Sequence, residues 1–170
     1  MLFAVLSGFV LAACAPWVHR VLRGAAGGVL ALLPLGLFFY FLHLLPDTLR
    51  GAPAVEHWAW APSLGLALSF NGDGLALLFA LLVSGIGFFV VVYSGAYLRG
   101  HPLLGRWYCF LLVFMASMLG VVLSNNLIGL FVFWELTSFS SYLLIGFHSH
   151  EKHSRDAALQ ALLVTGVGGL

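Results

Sequence analysis

Apolar runs of membrane-crossing length recur along this chain, and nothing else in the sequence constrains its fold so tightly. Five lie at residues 1–18, 24–45, 75–98, 107–123 and 126–147, and a sixth, at 157–170, is still apolar where the sequence stops. A helix needs about 20 apolar residues to cross a bilayer core. With no water there to satisfy an open backbone, helices are expected rather than open sheet. The predicted fold class is an all-α polytopic membrane protein with five transmembrane helices plus a truncated sixth. The sixth run is too short for a span, so the sequence reads as a fragment of a longer protein. Composition agrees, because only 8% of residues are charged, whereas about a quarter are charged in an average soluble chain. A net charge of +1 without a basic run leaves no basis for a nucleic-acid partner, and the lipid bilayer is the expected surrounding. Cys14 and Cys109 sit in apolar stretches and form neither a CxxC pair nor a disulfide framework. Leu11-Ala12-Ala13-Cys14 has the form of a lipoprotein cleavage site, but the positive segment that should precede it is missing.

The few basic residues orient the chain. Arg20, Arg23, Arg99, Arg106, Lys152 and Arg155 fall in or beside the first, third and fifth connections, and only Arg50 falls in the second. The positive-inside rule then puts those odd connections in the cytoplasm and the N-terminus outside. The implied location is the cell inner (plasma) membrane, with several passes. The long outer connection, residues 46–74, alternates Leu64, Leu66, Leu68 and Phe70 with small residues, a period of two that predicts a strand. Ala61-Pro62-Ser63 is expected to turn it back on residues 55–60 as a short outer β-hairpin, with Trp58 and Trp60 at headgroup level. The chain thus divides into a two-helix segment with its hairpin, residues 1–72, and a second unit, 73–170. Gly24 and Gly28 form a GxxxG that predicts close helix packing. The glycines near the end, Gly166, Gly168 and Gly169, imitate a dinucleotide fingerprint but lie in an apolar run rather than a strand–turn–helix. Nothing in the sequence calls for a cofactor.

One carboxylate breaks the pattern. Asp47, Glu56, Asp73, Glu151 and Asp156 belong to connections, whereas Glu135 is deep in the fifth run, roughly 14 Å from its start at 1.5 Å per residue. A charge at such a position costs about 2.5–3.5 kcal/mol on insertion scales, which makes Glu135 a functional-site candidate. Phe131, Ser138, Phe139 and Tyr142 fall within about 60° of it on the helix face, so Ser138 and Tyr142 are candidates to bond the carboxyl or to hold water beside it. Thr137, Ser140 and Ser141 make the other side polar, which predicts protein packing on both sides. Two roles stay open for Glu135, a proton relay and a fixed structural hydrogen bond or ion pair. His148, His150 and His153 crowd the end of the same run and fit a headgroup-level polar loop, a proton entry with His148 first in line, or a metal site.

At Phe133-Trp134-Glu135-Leu136-Thr137-Ser138 the chain resembles the proton-translocating antiporter family. That family includes the large A-type subunit of Mrp multisubunit sodium/proton antiporters and chain 5 of the complex I membrane arm. The likeness continues through Asp73-Gly74-Leu75, Tyr93-Ser94, Tyr97-Leu98, Ser124-Asn125-Asn126-Leu127 and Ser141-Tyr142-Leu143-Leu144-Ile145. Met118-Leu119-Gly120-Val121-Val122-Leu123-Ser124 is similar to the A-type subunit. Gly166 and Gly169 stand where chain 5 usually carries an Arg and an Asp. The resemblance implies that Glu135 is the family's essential fifth-helix glutamate and that its lysine partner lies on a later helix absent from this sequence. It further implies exchange of cytoplasmic Na+ for external protons by a complex of several integral membrane subunits. A redox-driven proton pump of the chain 5 type and a non-transporting membrane scaffold are the alternatives.

Overall fold

The computed structural model describes residues 1–61 and 66–169. About 80% is helical. In chain order the elements are α1 (Leu2–Leu22), α2 (Ala26–Leu49), β1 (Ala54–Ala61), β2 (Leu66–Gly72), α3 (Gly74–Tyr97), α4 (Leu104–Leu123), α5 (Leu127–Ile145) and α6 (Lys152–Gly169). Four stretches among the described residues are long and apolar enough to cross a membrane: Leu2–Leu49, Gly74–Tyr97, Leu104–Leu123 and Leu127–Ile145. The first of these is folded back on itself at a 3-10 turn, Arg23–Ala25, so that the Met1 amino group reaches the Tyr40 hydroxyl at 3.3 Å.

Three boundaries differ from the sequence expectation by four or five residues. In each the helical backbone runs on past the apolar residues into polar ones. Thus α1 continues four residues beyond Val18, α2 carries Pro46 inside its last turn, and α6 begins at Lys152. The early start of α6 puts Lys152, His153, Arg155 and Asp156 in its opening turns, and α6 is not among the four membrane-length stretches.

Helix α4 is central, packed against α1, α3 and α5, while α2 lies on α3 and α6 on α5. Small residues permit these approaches. A Cβ built at Gly8 would lie 2.7 Å from the Ala116 Cβ, and one at Gly120 would lie 2.3 Å from the Phe133 ring. The predicted GxxxG does not mediate a contact: a Cβ at Gly24 or Gly28 would meet nothing within 4 Å. The close approach falls one residue away, where Gly27 faces Gly95 across the buried Tyr108 hydroxyl. Sequence spacing marks a stripe of small residues but not which way the helix is turned. The core runs through Val5, Leu30, Phe41, Leu77, Leu112 and Leu119.

The expected hairpin is present. β1 and β2 pair antiparallel with Glu56 opposite Phe70 and Trp58 opposite Leu68. Of the predicted turn, Pro62 and Ser63 lie outside the described residues, as do Leu64 and Gly65. Polar contacts fasten the hairpin to the start of α1 and to the turn between α4 and α5. Glu56 pairs with the Met1 amino group and accepts from the Leu2 N–H at 3.0 Å. Burial opposes ionisation of Glu56, but the ammonium, the Leu2 N–H and the Trp58 indole together hold its carboxyl below the usual range. On the other side Asn125 donates its backbone N–H to the Ser69 carbonyl at 2.8 Å, and the Asn126 side chain donates to the Ala67 carbonyl.

Two of the family words quoted above are helix caps. The Asp73 carboxylate accepts from the Ala76 N–H at 2.8 Å at the start of α3, and the Asn126 side chain accepts from the Gly129 N–H at 2.6 Å at the start of α5. Replacing a cap by Ala costs about 1 kcal/mol. Asn126→Ala is therefore expected to lower the thermal midpoint of the purified protein, and Asn126→Ser, which keeps the cap but not the amide donor, to recover part of the loss. Equal midpoints for Asn126→Ala and wild type would show that neither bond contributes.

Candidate functional site

Glu135 lies near the midpoint of α5 and is half-buried. Its Oε1 is shielded from solvent and has no hydrogen-bond partner among the described residues. Neither ion pair found among those residues involves it. Helix α6 closes over the carboxyl at Gly169, where a built Cβ would stand 3.2 Å from the Glu135 Oε1 and 2.7 Å from the Trp134 indole nitrogen. Phe131 and Phe139, on the same face, are 40% and 54% exposed, so this side of α5 looks outward from the chain.

The neighbouring hydroxyls are committed to their own helix. Ser138 donates to the Trp134 carbonyl at 3.3 Å, Thr137 to the same carbonyl at 2.7 Å, and Ser140 to the Leu136 carbonyl at 2.7 Å. This back-bonding satisfies a hydroxyl in an apolar setting without an outside partner, which is why Ser138 does not turn to Glu135. Tyr142 is half-buried with its ring 6.5 Å from that of Phe139. Ser138 and Tyr142 therefore share the face of Glu135 without bonding it. Thr137, Ser138 and Ser141 instead border, with Thr165, a cavity of about 210 Å3 between α4, α5 and α6 whose remaining wall is Phe114, Met118, Val121 and Trp134. Such a volume accommodates several water molecules at about 30 Å3 each, with hydroxyl oxygens as partners. Thr165 was not singled out from the sequence, because it belongs to α6 and only tertiary packing brings it to α5.

His148 is exposed just beyond α5, its ring 5.9 Å from that of His101 in the α3–α4 connection. His150 and His153 are also exposed. The three histidines do not converge, and no three His, Cys, Asp or Glu side chains among the described residues are grouped closely enough to share a metal ion. The glycines Gly166, Gly168 and Gly169 are helical, without the strand–turn–helix that a dinucleotide fingerprint requires.

Residues 58–108 match the family model described as NADH-ubiquinone oxidoreductase (complex I), chain 5 N-terminus, and residues 124–170 match the one described as NADH:quinone oxidoreductase/Mrp antiporter, TM. The chain is 45% identical over 168 residues to Na(+)/H(+) antiporter subunit A1 of Staphylococcus haemolyticus, covering 98% of itself and 21% of that relative. This chain belongs to the Mrp antiporter family. The same subunit from Staphylococcus aureus is 44% identical with the same coverage. A solved structure of the Mrp complex from Dietzia sp. DQ12-45-1b superposes with a TM-score of 0.86 at 37% identity, covering 99% of this chain and 18% of that one. The fold alone is shared with the membrane-bound sulfane sulfur reductase, an archaeal respiratory membrane complex, with a TM-score of 0.83 at 17% identity over 98% of this chain and 34% of that one. The chain spans about a fifth of the length of the curated relatives it matches.

Proposed function

We propose that this chain is part of a membrane subunit of a multisubunit Na+/H+ antiporter and that Glu135 is an intramembrane proton relay within it. The observation that carries the reading is a carboxyl at the middle of a membrane-length helix with one oxygen buried and unbonded. Keeping an ionisable group there costs a few kcal/mol at insertion, and a structural role would offset that cost with fixed hydrogen bonds or an ion pair. The buried oxygen instead has no such partner among the described residues, and the outward face beside it is one on which a further helix or subunit can bring a cation. In this reading α1 to α5 each cross the membrane, α6 begins a sixth crossing, and residues 73–170 open the translocating unit after an N-terminal segment of 1–72. Ser138 and Tyr142 line the relay, and His148 receives protons at the cytoplasmic end. The partners are protons, Na+ and other integral membrane subunits of the same complex, in the plasma membrane.

The test is sodium-dependent proton flux in inverted vesicles carrying the complete complex, with the complete protein present or deleted. Deletion is expected to abolish the flux and complementation to restore it. Flux that persists without the protein would refute the reading. The match to the chain 5 model favours, as a second reading, a proton-pumping subunit of an NADH:quinone oxidoreductase. Proton flux driven by NADH and indifferent to sodium would select it.

The orientation has its own test. With Cys14 and Cys109 replaced, Ala59→Cys on the hairpin is expected to react with a membrane-impermeant maleimide from outside intact cells, and Ser149→Cys only from inside. Both positions are exposed. Labelling of Ser149→Cys from outside would invert the proposed topology, which rests on the six-to-one distribution of basic residues.

A further inference from the structure

The turn between α1 and α2 and the connection between α3 and α4 meet at one end of the helical body and enclose a cleft of about 430 Å3. Arg20, Arg23 and Arg99 line it together with His19, His101 and the buried Tyr108, and no carboxylate does. Neither of the ion pairs found among the described residues involves these arginines. Arg106, close by in sequence, stacks over the Phe110 ring at 5.0 Å and is not part of the lining.

A cluster of arginines at the end of a helical bundle can be a solvated positive rim and nothing more. Two independent features argue for a built site. The Tyr108 side chain is fully buried, yet its hydroxyl has no hydrogen-bond partner among the described residues, and the Nδ1 of His19 is likewise buried and unbonded. Buried polar groups are nearly always satisfied, so an unbonded pair on the wall of a cleft is a place for a ligand's oxygens. Gly27 and Gly95 make room for that hydroxyl, since a Cβ at either would stand 2.6 or 2.8 Å from it. Moreover Arg23 holds a backbone φ of +43°, the only positive φ outside glycine among the described residues, with Gly24 directly beside it. Such a conformation is costly for a side-chain-bearing residue and persists where something else demands it.

We infer that this cleft binds a phosphate group. The chemistry is shared guanidinium donation, which matches phosphate oxygens in pairs, completed by the Tyr108 hydroxyl and a histidine N–H. The volume lies in the range of small-ligand sites, about 300–1,000 Å3. Phosphate can reach the cleft as the headgroup of an anionic phospholipid, since it sits at the ends of membrane-length helices, or as a free ion.

The experiment uses the full-length protein in lipid nanodiscs. In the first arm phosphatidylglycerol is titrated against phosphatidylcholine and bound lipid is counted by native mass spectrometry. In the second arm inorganic phosphate is titrated and read by isothermal calorimetry. Each lost charge-assisted contact is expected to weaken binding by about tenfold, so Arg20→Gln/Arg99→Gln reduces phosphatidylglycerol retention by that factor or more. Arg23→Gly removes a charge and relieves the backbone at once, so it is expected to fold at least as well as wild type and still bind more weakly. Arg50→Gln, a basic residue outside the cleft, is expected to change nothing. Loss in the lipid arm alone identifies a headgroup site and loss in the phosphate arm alone identifies a free-anion site. The inference is overturned if the folded Arg23→Gly variant binds like wild type in both arms, or if Arg50→Gln weakens binding as much as the cleft variants.

Discussion

Glu135→Gln in the complete protein is expected to abolish sodium-dependent proton flux while leaving its abundance in the membrane unchanged. Glutamine nearly preserves the volume of the side chain and cannot exchange a proton. It also removes the cost of an ionised group at mid-helix, about 2.5–3.5 kcal/mol on insertion scales, so insertion is not impaired. The competing structural role predicts another pattern. Breaking a buried ion pair costs about 3–5 kcal/mol because the surviving partner is stranded, and subunit abundance falls with flux. Among the described residues no partner is there to strand, since the buried Oε1 of Glu135 has none. The relay reading expects Glu135→Ala to accumulate normally as well. Glu135→Asp keeps the proton chemistry but retracts the carboxyl by one methylene, and retains partial flux if water spans the gap. Normal flux in Glu135→Gln ends the relay proposal. Lost flux with lost protein in both Gln and Ala variants assigns Glu135 to the structure instead.

Much of this arrangement is legible in the sequence, and what is not has physical causes. Hydropathy locates the helices because bilayer thickness and backbone satisfaction permit little else. It misplaces their ends at Val18, Leu45 and Ala157 because the helical backbone runs on past the apolar residues into polar ones. Period-two alternation finds the hairpin, but not the Asn125 and Asn126 bonds that fasten it to the turn before α5. Glu135 stands out by cost alone. Its surroundings do not, because angular position on a helix says which side chains share a face and not which bonds they prefer. Ser138 bonds the Trp134 carbonyl, and Thr165 joins the cavity beside α5 from another helix. The basic cleft was divided in the sequence between two connections some 75 residues apart, where Arg20 and Arg99 served only to orient the chain. Tyr108 lay in an apolar run, with no sign that its hydroxyl would come to lie between two glycines.

Gly120→Ala is the second substitution with a large expected effect, and it tests the packing that positions Glu135. A Cβ at Gly120 would stand 2.3 Å from the Phe133 Cγ and Cδ1 and 2.7 Å from its Cε1. The ring has little freedom to yield, since Phe133 is buried and its ring lies 6.2 Å from that of the fully buried Phe70 on the hairpin. Two terms oppose each other. Alanine gains about 1 kcal/mol over glycine in a helix interior, whereas overpacking a filled site costs typically 1–3 kcal/mol and occasionally more. A clash this deep with three atoms along one edge of a buried aromatic ring puts the balance on the destabilising side. Gly28→Ala supplies the propensity gain alone, because its Cβ would meet nothing within 4 Å, and is expected to melt at or slightly above wild type. Phe133→Leu leaves space beside Gly120 and costs stability by itself. Combined with Gly120→Ala it should lose less than the two single changes added together, with a coupling on the order of 0.5–3 kcal/mol for residues in contact. Thermal unfolding of wild type, both single variants and the double variant in one detergent measures that coupling. Additive losses would mean that α4 and α5 do not meet at this pair. Because Phe133 lies two residues before Glu135, the same series read by proton flux is expected to follow stability, with the double variant again losing less than the two single changes added together.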